Sequence, residues 1–209
     1  MTMTTFLHWQ KIWRQLGADG NAALYAWICA CYSEPHRSYH TLQHLHECFS
    51  LFEQIREYAE HPAEVQLAIW FHDAIYESAS KDNEQKSAEW ARTSAIAQGL
   101  PKAIGDRVYS LIMVTKHDAI PRSRDAEVLV DVDLGILAAA PERFAEHEQQ
   151  VRTEYEWVPE PVYRRERSKI LQGLMERSQI YSSPLLRDRY ETKAQQNLTR
   201  SLAKLNTQF

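Results

Sequence analysis

The sequence predicts an all-α protein that folds as one compact multi-helix bundle over residues 1–209. Glycine is scarce, with six in 209 residues, and stretches that alternate β-branched with polar residues, as a half-buried strand does, are nearly absent. Apolar residues instead recur every three or four positions, as on one face of an amphipathic helix. No linker rich in Gly, Ser or Pro divides the chain and no internal repeat is present, so a single domain is the simplest interpretation.

The apolar spacing divides the chain into about ten helices. The first contains Phe6, Trp9 and Ile12 on one face and ends near Gly17. The others are predicted over residues 21–32, 42–59, 61–77, 82–100, 103–117, 123–139, 141–158, 161–181 and 184–205. Asp82 and Gly99 have the residue types of an N-cap and a C-cap for the helix between them.

The segment VLVDVDLGIL, residues 128–137, requires a choice between helix and strand. Val128, Val130 and Val132 alternate as in a strand. However, an isolated buried strand among helices would leave its backbone groups unpaired. Leu129, Val132 and Ile136 also share one helical face, so we expect a helix.

Charge and cysteine usage exclude several classes of protein. The formal charge is −4 with acids and bases interleaved, which makes nucleic acid an improbable partner. The apolar runs are too short and too acidic to cross a membrane, and polar residues interrupt the N-terminal segment, unlike a secretory signal. We expect a cytoplasmic protein whose Cys29, Cys31 and Cys48 serve as small core residues.

Histidines and aspartates with metal-ligand chemistry lie on three predicted helices. His40 and His44 are one turn apart, His72 stands next to Asp73 in a segment of core residues, and VDVDLG supplies a third carboxylate. Imidazole and carboxylate are common ligands of divalent cations. Because an unpaired carboxylate in an apolar segment costs several kcal/mol, a shared cation would account for these buried acids together.

Six ordered motifs resemble the HD superfamily of metal-dependent phosphohydrolases, and most closely a bacterial subgroup whose substrate is unassigned. The motifs are RSYHTLQHL (37–45), AIWFHDAIYE (68–77), DNEQKSA (82–88), TKH (115–117), DVDLGIL (131–137) and VRTEYEWV (151–158). His72 follows His44 by 28 positions and Asp133 follows His72 by 61, and both gaps look typical of the family. The resemblance implies an HD-domain-like helical fold.

The resemblance implies that His44, His72, Asp73 and Asp133 hold a divalent cation, with Mn, Mg, Zn, Co, Ni and Fe as candidates. His40 is the alternative to His44. Asp131 is the alternative to Asp133, which is preferred because leucines follow it as they do in the family. The implied activity is hydrolysis of a phosphate ester of a small molecule, a nucleotide among the candidates, by metal-activated water.

The remaining expected site residues surround this centre. Asp73, Glu84 and Lys81 are the catalytic candidates. The candidates for binding the phosphorylated substrate are Arg37, His40, His117, Lys116 and Arg152. His8, His61 and His147 are expected at the surface.

Two further functions are compatible with the same residues. The first is a non-catalytic sensor that binds a metal or a nucleotide, which would not need Glu84 and Lys81. The second is a di-iron oxygenase of the HD type, which would need His117 and His40 as additional ligands. A homo-oligomer is compatible with either and with the phosphohydrolase.

Overall fold

The prediction of an all-α fold is confirmed by a computed structural model that describes residues 3–207. This part of the chain forms ten α-helices and three short 3₁₀ segments, and it contains no strand. The expected domain of residues 1–209 also includes positions 1, 2, 208 and 209, which lie outside the described residues.

The helices follow the predicted order. Their bounds are α1 Phe6–Leu16, α2 Ala22–Cys31, α3 Leu42–Ile55, α4 Pro62–Phe71, α5 Asn83–Ala97, α6 Lys102–Met113, α7 Arg124–Asp133, α8 Pro141–Glu154, α9 Glu160–Met175 and α10 Pro184–Asn206. The 3₁₀ segments are Arg56–Tyr58, Val114–Lys116 and Leu134–Ala138. The segment of residues 128–137, for which helix and strand were both considered, is therefore helical, as predicted.

The two ends of α5 differ in how well they match the predicted caps. Gly99 follows the helix with φ 87°, a conformation that glycine adopts without strain, and Leu100 N donates to Ala95 O at 3.0 Å. Asp82 occupies the N-cap position, but its side chain makes no capping hydrogen bond. Its carboxylate instead accepts from Ser80 and pairs with Lys86.

Helix α4 is the centre of the bundle. Every residue from Glu64 to Phe71 is buried, and the helix packs against α1, α3, α5, α6 and α7. A helix that is apolar on all sides must be surrounded in this way. Its one buried acid, Glu64, is paired through both carboxylate oxygens with Arg107, at 2.6 and 2.7 Å.

The end of α4 corrects the prediction that the helix continues to residue 77. The helix ends at Phe71, and His72 is its C-cap residue. Arg37, from the loop before α3, donates to Asp73 O at 2.6 Å and to Ala74 O at 3.0 Å, so these carbonyls are satisfied without another helical turn. The Tyr32 hydroxyl donates to Trp70 O and accepts from Asp73 N. The His-Asp pair therefore lies in a turn held by distant side chains.

Candidate metal centre

The four predicted ligands converge where α3, α4 and α7 meet. His44 is on α3, His72 and Asp73 are at the end of α4, and Asp133 is the last residue of α7. His72 Nε2 lies 3.1 Å from His44 Nε2 and 3.0 Å from Asp73 Oδ2. Asp133 Oδ1 lies 3.2 Å from His44 Nε2 and 3.4 Å from His72 Nε2. Both histidines are buried, and the two aspartates are partly accessible.

A cysteine that the sequence analysis placed in the core belongs to the same cluster. Cys48 follows His44 by one helical turn, and its Sγ lies 3.7 Å from both ring nitrogens of His44. His44, Cys48, His72 and Asp133 each offer a ligand atom, and these atoms all lie within 4.8 Å of one another. Spacing of four residues on one helix was the available signal, because it places two side chains on the same face.

The spacing of these atoms fits a metal ion. Ligand bonds of about 2.0–2.3 Å in tetrahedral geometry place neighbouring donor atoms roughly 3.3–3.6 Å apart. The three separations among His44, His72 and Asp133 run from 3.1 to 3.4 Å, and Cys48 Sγ lies 3.7 Å from His44 Nε2 and within 4.8 Å of the other two ligand atoms. This buried group of His, Cys and Asp can therefore hold a metal ion.

The charges of the cluster depend on one another. Burial alone would lower the pKa of His72, but Asp73 and Asp133 outweigh it and hold that pKa well above its usual value. Burial alone would raise the pKa of Asp133, but His72, His117 and His44 hold it well below its usual value. The imidazoles and the carboxylates thus favour one another's charged forms, and a bound cation would compete with protons for the imidazole nitrogens.

His72 is oriented by the backbone of its own helix. Its Nδ1–H donates to Ile69 O at 2.8 Å, which leaves Nε2 facing the cluster. Hydrogen bonds of this kind fix the tautomer of ligating histidines and raise their basicity. The turn after α4 therefore supplies an imidazole with the correct nitrogen presented.

The choice between the two N-terminal histidines is resolved by Glu154, a residue that the sequence analysis did not select. Its Oε2 accepts from His40 Nδ1 at 2.7 Å and from the Tyr76 hydroxyl at 2.9 Å. Its Oε1 accepts from three successive backbone amides, those of Ser38, Tyr39 and His40. His40 is therefore turned towards Glu154 at its Nδ1 and is stacked on Tyr76, and it is His44 that enters the cluster.

Glu154 is buried and charged. Burial raises its pKa, but hydrogen bonds from His40 and from the backbone amides lower it to about 2. The acid thus connects three of the six sequence motifs: RSYH, HDAIYE and RTEYEW. Sequence reasoning selected Arg152 in the last of these motifs and overlooked Glu154, two positions further along.

The choice between the two aspartates of α7 is resolved by backbone amides. Asp131 is completely buried, and its two oxygens accept from Ser182 N and Ser183 N, each at 2.7 Å. These bonds hold the segment that precedes α10. Asp131 is thus engaged away from the cluster, and Asp133 is the residue that enters it.

Two arginines expected to bind substrate make their described contacts away from the cluster. The Arg37 side chain has no exposed surface and donates to Glu34 and to the backbone at the end of α4. Arg152 donates to Tyr155 O, Val158 O and Glu160, which secures the connection between α8 and α9. The complete burial of the Arg37 side chain contradicts the expectation of a phosphate contact there, whereas the Arg152 side chain is 31% exposed and its expected role remains a prediction.

His117 does reach the centre. Its Nε2 lies 3.0 Å from Asp133 Oδ2, the carboxylate oxygen that faces away from His44. The residue has φ 56°, which is unusual outside glycine, and Arg177 binds its carbonyl at 2.8 Å. The preceding Lys116 is half-buried and has no described contact with the cluster.

The other catalytic candidates lie further out. Glu84 is half-buried in the first turn of α5, and Lys81 is exposed before it. Within residues 3–207, no described hydrogen bond or ion pair joins either residue to the cluster. Their catalytic roles remain predictions.

One expectation for the surface histidines is wrong. His61 is exposed as expected, but His147 is buried, with its Nε2 3.2 Å from an Arg167 nitrogen. Its ring packs edge-on against Tyr39, which in turn contacts the His44 ring. The EHEQQ segment consists of polar residues, so its composition did not indicate that His147 is buried.

A cavity of about 280 Å³ opens beside the cluster. His44, Cys48 and Asp133 line one side of it, and mostly apolar residues of α3 and the 134–139 segment line the rest. At its edge, Arg143 pairs with Glu47 at 2.7 and 3.0 Å. The cavity is large enough for a compact organic group next to the metal-binding atoms.

Comparisons with known proteins add no identification. No protein-family model, no curated protein and no solved structure matches this chain. Among the described helices, none is long and apolar enough to cross a membrane. The relationship to the HD superfamily therefore remains a prediction from the motifs.

Proposed function

We propose that the protein is a metal-dependent phosphohydrolase that cleaves a phosphate ester of a small molecule. The observation that carries this proposal is the convergence of His44, His72, Asp73 and Asp133, whose facing atoms lie 3.0–3.5 Å apart. The cavity of about 280 Å³ beside them supports a small substrate over a polymer.

In this proposal, His44, His72, Asp73 and Asp133 hold the metal. A divalent cation bound by them supplies water of lowered pKa and polarises a phosphoryl oxygen. His72 binds through Nε2, since Nδ1–H is committed to Ile69 O. His117, whose Nε2 lies 3.0 Å from Asp133 Oδ2, and the preceding Lys116 are the proposed contacts for phosphate oxygens, and Lys81 and Glu84 keep their proposed catalytic roles.

His40 is the proposed proton donor to the departing oxygen. Glu154 holds its Nδ1 at 2.7 Å, and Tyr76 supports one face of the ring. The centroid of the His40 ring lies 6.0 Å from that of the His44 ring, so His40 is close to the centre. A carboxylate that fixes the orientation of an imidazole is a common feature of general acid–base catalysis.

A metal-binding sensor is the second candidate function. One observation favours it: neither Glu84 nor Lys81 has a described contact with the cluster. A sensor would bind the metal and a phosphorylated ligand without turnover. Measured binding with no product would therefore identify the sensor.

The test is a screen of the purified chain for metal-dependent release of phosphate from nucleotides and phosphosugars. We expect Asp73→Ala to lower turnover by at least about 100-fold while the helical circular dichroism signal is retained. Asp19→Ala, which removes an exposed carboxylate between α1 and α2, is the control and should leave turnover unchanged. Full activity of Asp73→Ala with metal present would show that the chemistry takes place elsewhere.

A further inference from the structure

We infer that Cys48 is a ligand of the metal centre, so that the site selects Zn²⁺, Co²⁺ or Fe²⁺ over Mg²⁺ and Mn²⁺. The inference deepens the proposed function, because it assumes the same centre and specifies the class of metal. The cysteine adds a soft donor to the nitrogen and oxygen atoms of His44, His72 and Asp133.

The position of the sulfur supports this role. Cys48 Sγ lies 3.7 Å from His44 Nε2, close to the roughly 3.6 Å that separates sulfur and nitrogen around a tetrahedral zinc ion. Cys48 is only 1% exposed, and its Sγ also lies within 4.8 Å of the ligand atoms of His72 and Asp133. All four donor atoms thus already lie within 4.8 Å of one another.

The local structure makes the arrangement rigid. His44 and Cys48 are one turn apart on α3, between core residues Leu45 and Phe49. Both side chains therefore keep their relative positions for as long as α3 is folded. Asp73, which is more accessible, approaches the same region from the turn after α4.

The chemistry of sulfur determines which metals fit. The thiolate is the form of cysteine that binds metals, and it favours zinc, cobalt and iron. Magnesium and manganese prefer carboxylate, carbonyl and water oxygens. A site with two imidazoles, one thiolate and carboxylate oxygen therefore discriminates against the harder cations.

The other two cysteines provide a matched control. Cys29 and Cys31 are both on α2, are both free thiols, and are half-buried away from the cluster. The chain contains only three cysteines, so Cys29→Ser with Cys31→Ser leaves Cys48 as its single sulfhydryl group. A signal from a bound thiolate in this double variant can come only from Cys48.

The experiment uses the full chain loaded with Co²⁺ and read by absorption spectroscopy. We expect a near-ultraviolet thiolate-to-cobalt charge-transfer band in the native chain and in the double variant, and its loss in Cys48→Ser. Zn²⁺ affinity should fall by about 100-fold in Cys48→Ser, while Mn²⁺ affinity should change by less than about threefold. If Cys48→Ser does not fold, the double variant still decides the question.

The outcomes separate this inference from the proposed function. Bound cobalt without the band, or a band that disappears in the double variant, overturns the role of Cys48 even if phosphate is released. Failure of the native chain to bind Co²⁺ overturns it as well. A band in the double variant without hydrolysis of any phosphate ester supports the thiolate ligand and contradicts the phosphohydrolase.

Discussion

Two groups of acids and histidines in this protein have similar composition but different surroundings. The candidate metal cluster of His44, His72, Asp73 and Asp133 lies where three helices end or cross, with both histidines buried and both aspartates less than one-fifth exposed. The group Glu60, His61 and Asp125 also has ligand atoms within 4.8 Å of one another, but two of its members are exposed. In the first group the donor atoms face one another, and most of them are not hydrogen-bonded to other parts of the protein. The second group lacks this property.

In the second group, the carboxylate is already hydrogen-bonded within the protein. Asp125 Oδ1 accepts from the amides of Glu60 and His61 at 2.7 and 2.9 Å, and its Oδ2 faces His61 Nδ1 at 2.8 Å. The carboxylate therefore ties the loop before α4 to the start of α7. The comparison teaches that ligand-type residues form a metal centre only where backbone amides leave their atoms available.

The largest effect is expected when a charged residue of the candidate metal cluster is replaced. Asp133→Asn should reduce the metal content of the dialysed protein to background and lower turnover by at least about 100-fold, because a charged ligand shared by His44 and His72 is removed. Metal analysis by mass spectrometry and phosphate release measure the two effects.

Asp125→Asn is the matched control for that change. It should keep the full metal content but lower the free energy of unfolding by about 1–3 kcal/mol, because amides near α4 lose a charged acceptor. Loss of bound metal in Asp125→Asn would mean that the two groups do not differ as described.

The next effect concerns Glu154. Like Asp125 it accepts hydrogen bonds from backbone amides, and it also orients His40 beside the candidate metal cluster. Its pKa falls from 4.5 to about 2 on folding, so its charge contributes roughly 3 kcal/mol of stability that is present above pH 4.5. Glu154→Gln should lose that contribution at pH 7, as measured by urea unfolding. The difference from the native chain should shrink as the pH falls from about 4.5 towards 2.

The exposed Glu156, two residues further along the chain, supplies the control through Glu156→Gln, which should unfold like the native protein. Turnover adds a second measurement. If Glu154→Gln kept both its stability at pH 7 and its rate, neither role of Glu154 would hold.

The smallest expected effect concerns Glu84. Glu84 lies in the first turn of α5 and has no other described partner. Glu84→Gln should therefore lower the free energy of unfolding by only about 0.3–1 kcal/mol, the usual size of an acid's interaction with a helix N-terminus. Turnover should stay within about twofold. A fall of about 100-fold with metal retained would place Glu84 in the mechanism after all.

The helices could be predicted because they depend on local spacing, and the four residues that converge were selected through the motifs that resemble the HD superfamily. His44 follows an apolar face, and His72–Asp73 and Asp133 interrupt core segments in the order typical of the family they resemble. The end of α4 could not be predicted, because it depends on Arg37 and Tyr32, which are about 35–40 positions away in the sequence.

The misses share a physical cause. Cys48 lies on an apolar face, where a cysteine is interpreted as a small core residue. Its proximity to His72 and Asp133 depends on the packing of neighbouring helices. Glu154 and His147 occur in strongly polar stretches of α8, yet both are buried by long-range packing against the loop before α3. Sequence periodicity describes one helix at a time and does not reveal a partner more than 100 positions away.

The directions of α4 and α7 have one further consequence. Both helices point their carboxyl ends at the metal cluster, since His72 caps the first and Asp133 completes the second. Each such end carries roughly half a negative elementary charge from aligned peptide dipoles, although Arg37 offsets part of it at α4. This backbone field attracts cations and repels phosphate at every pH, and no side-chain substitution removes it. An anionic substrate should therefore bind second, after the cation has reversed the local potential.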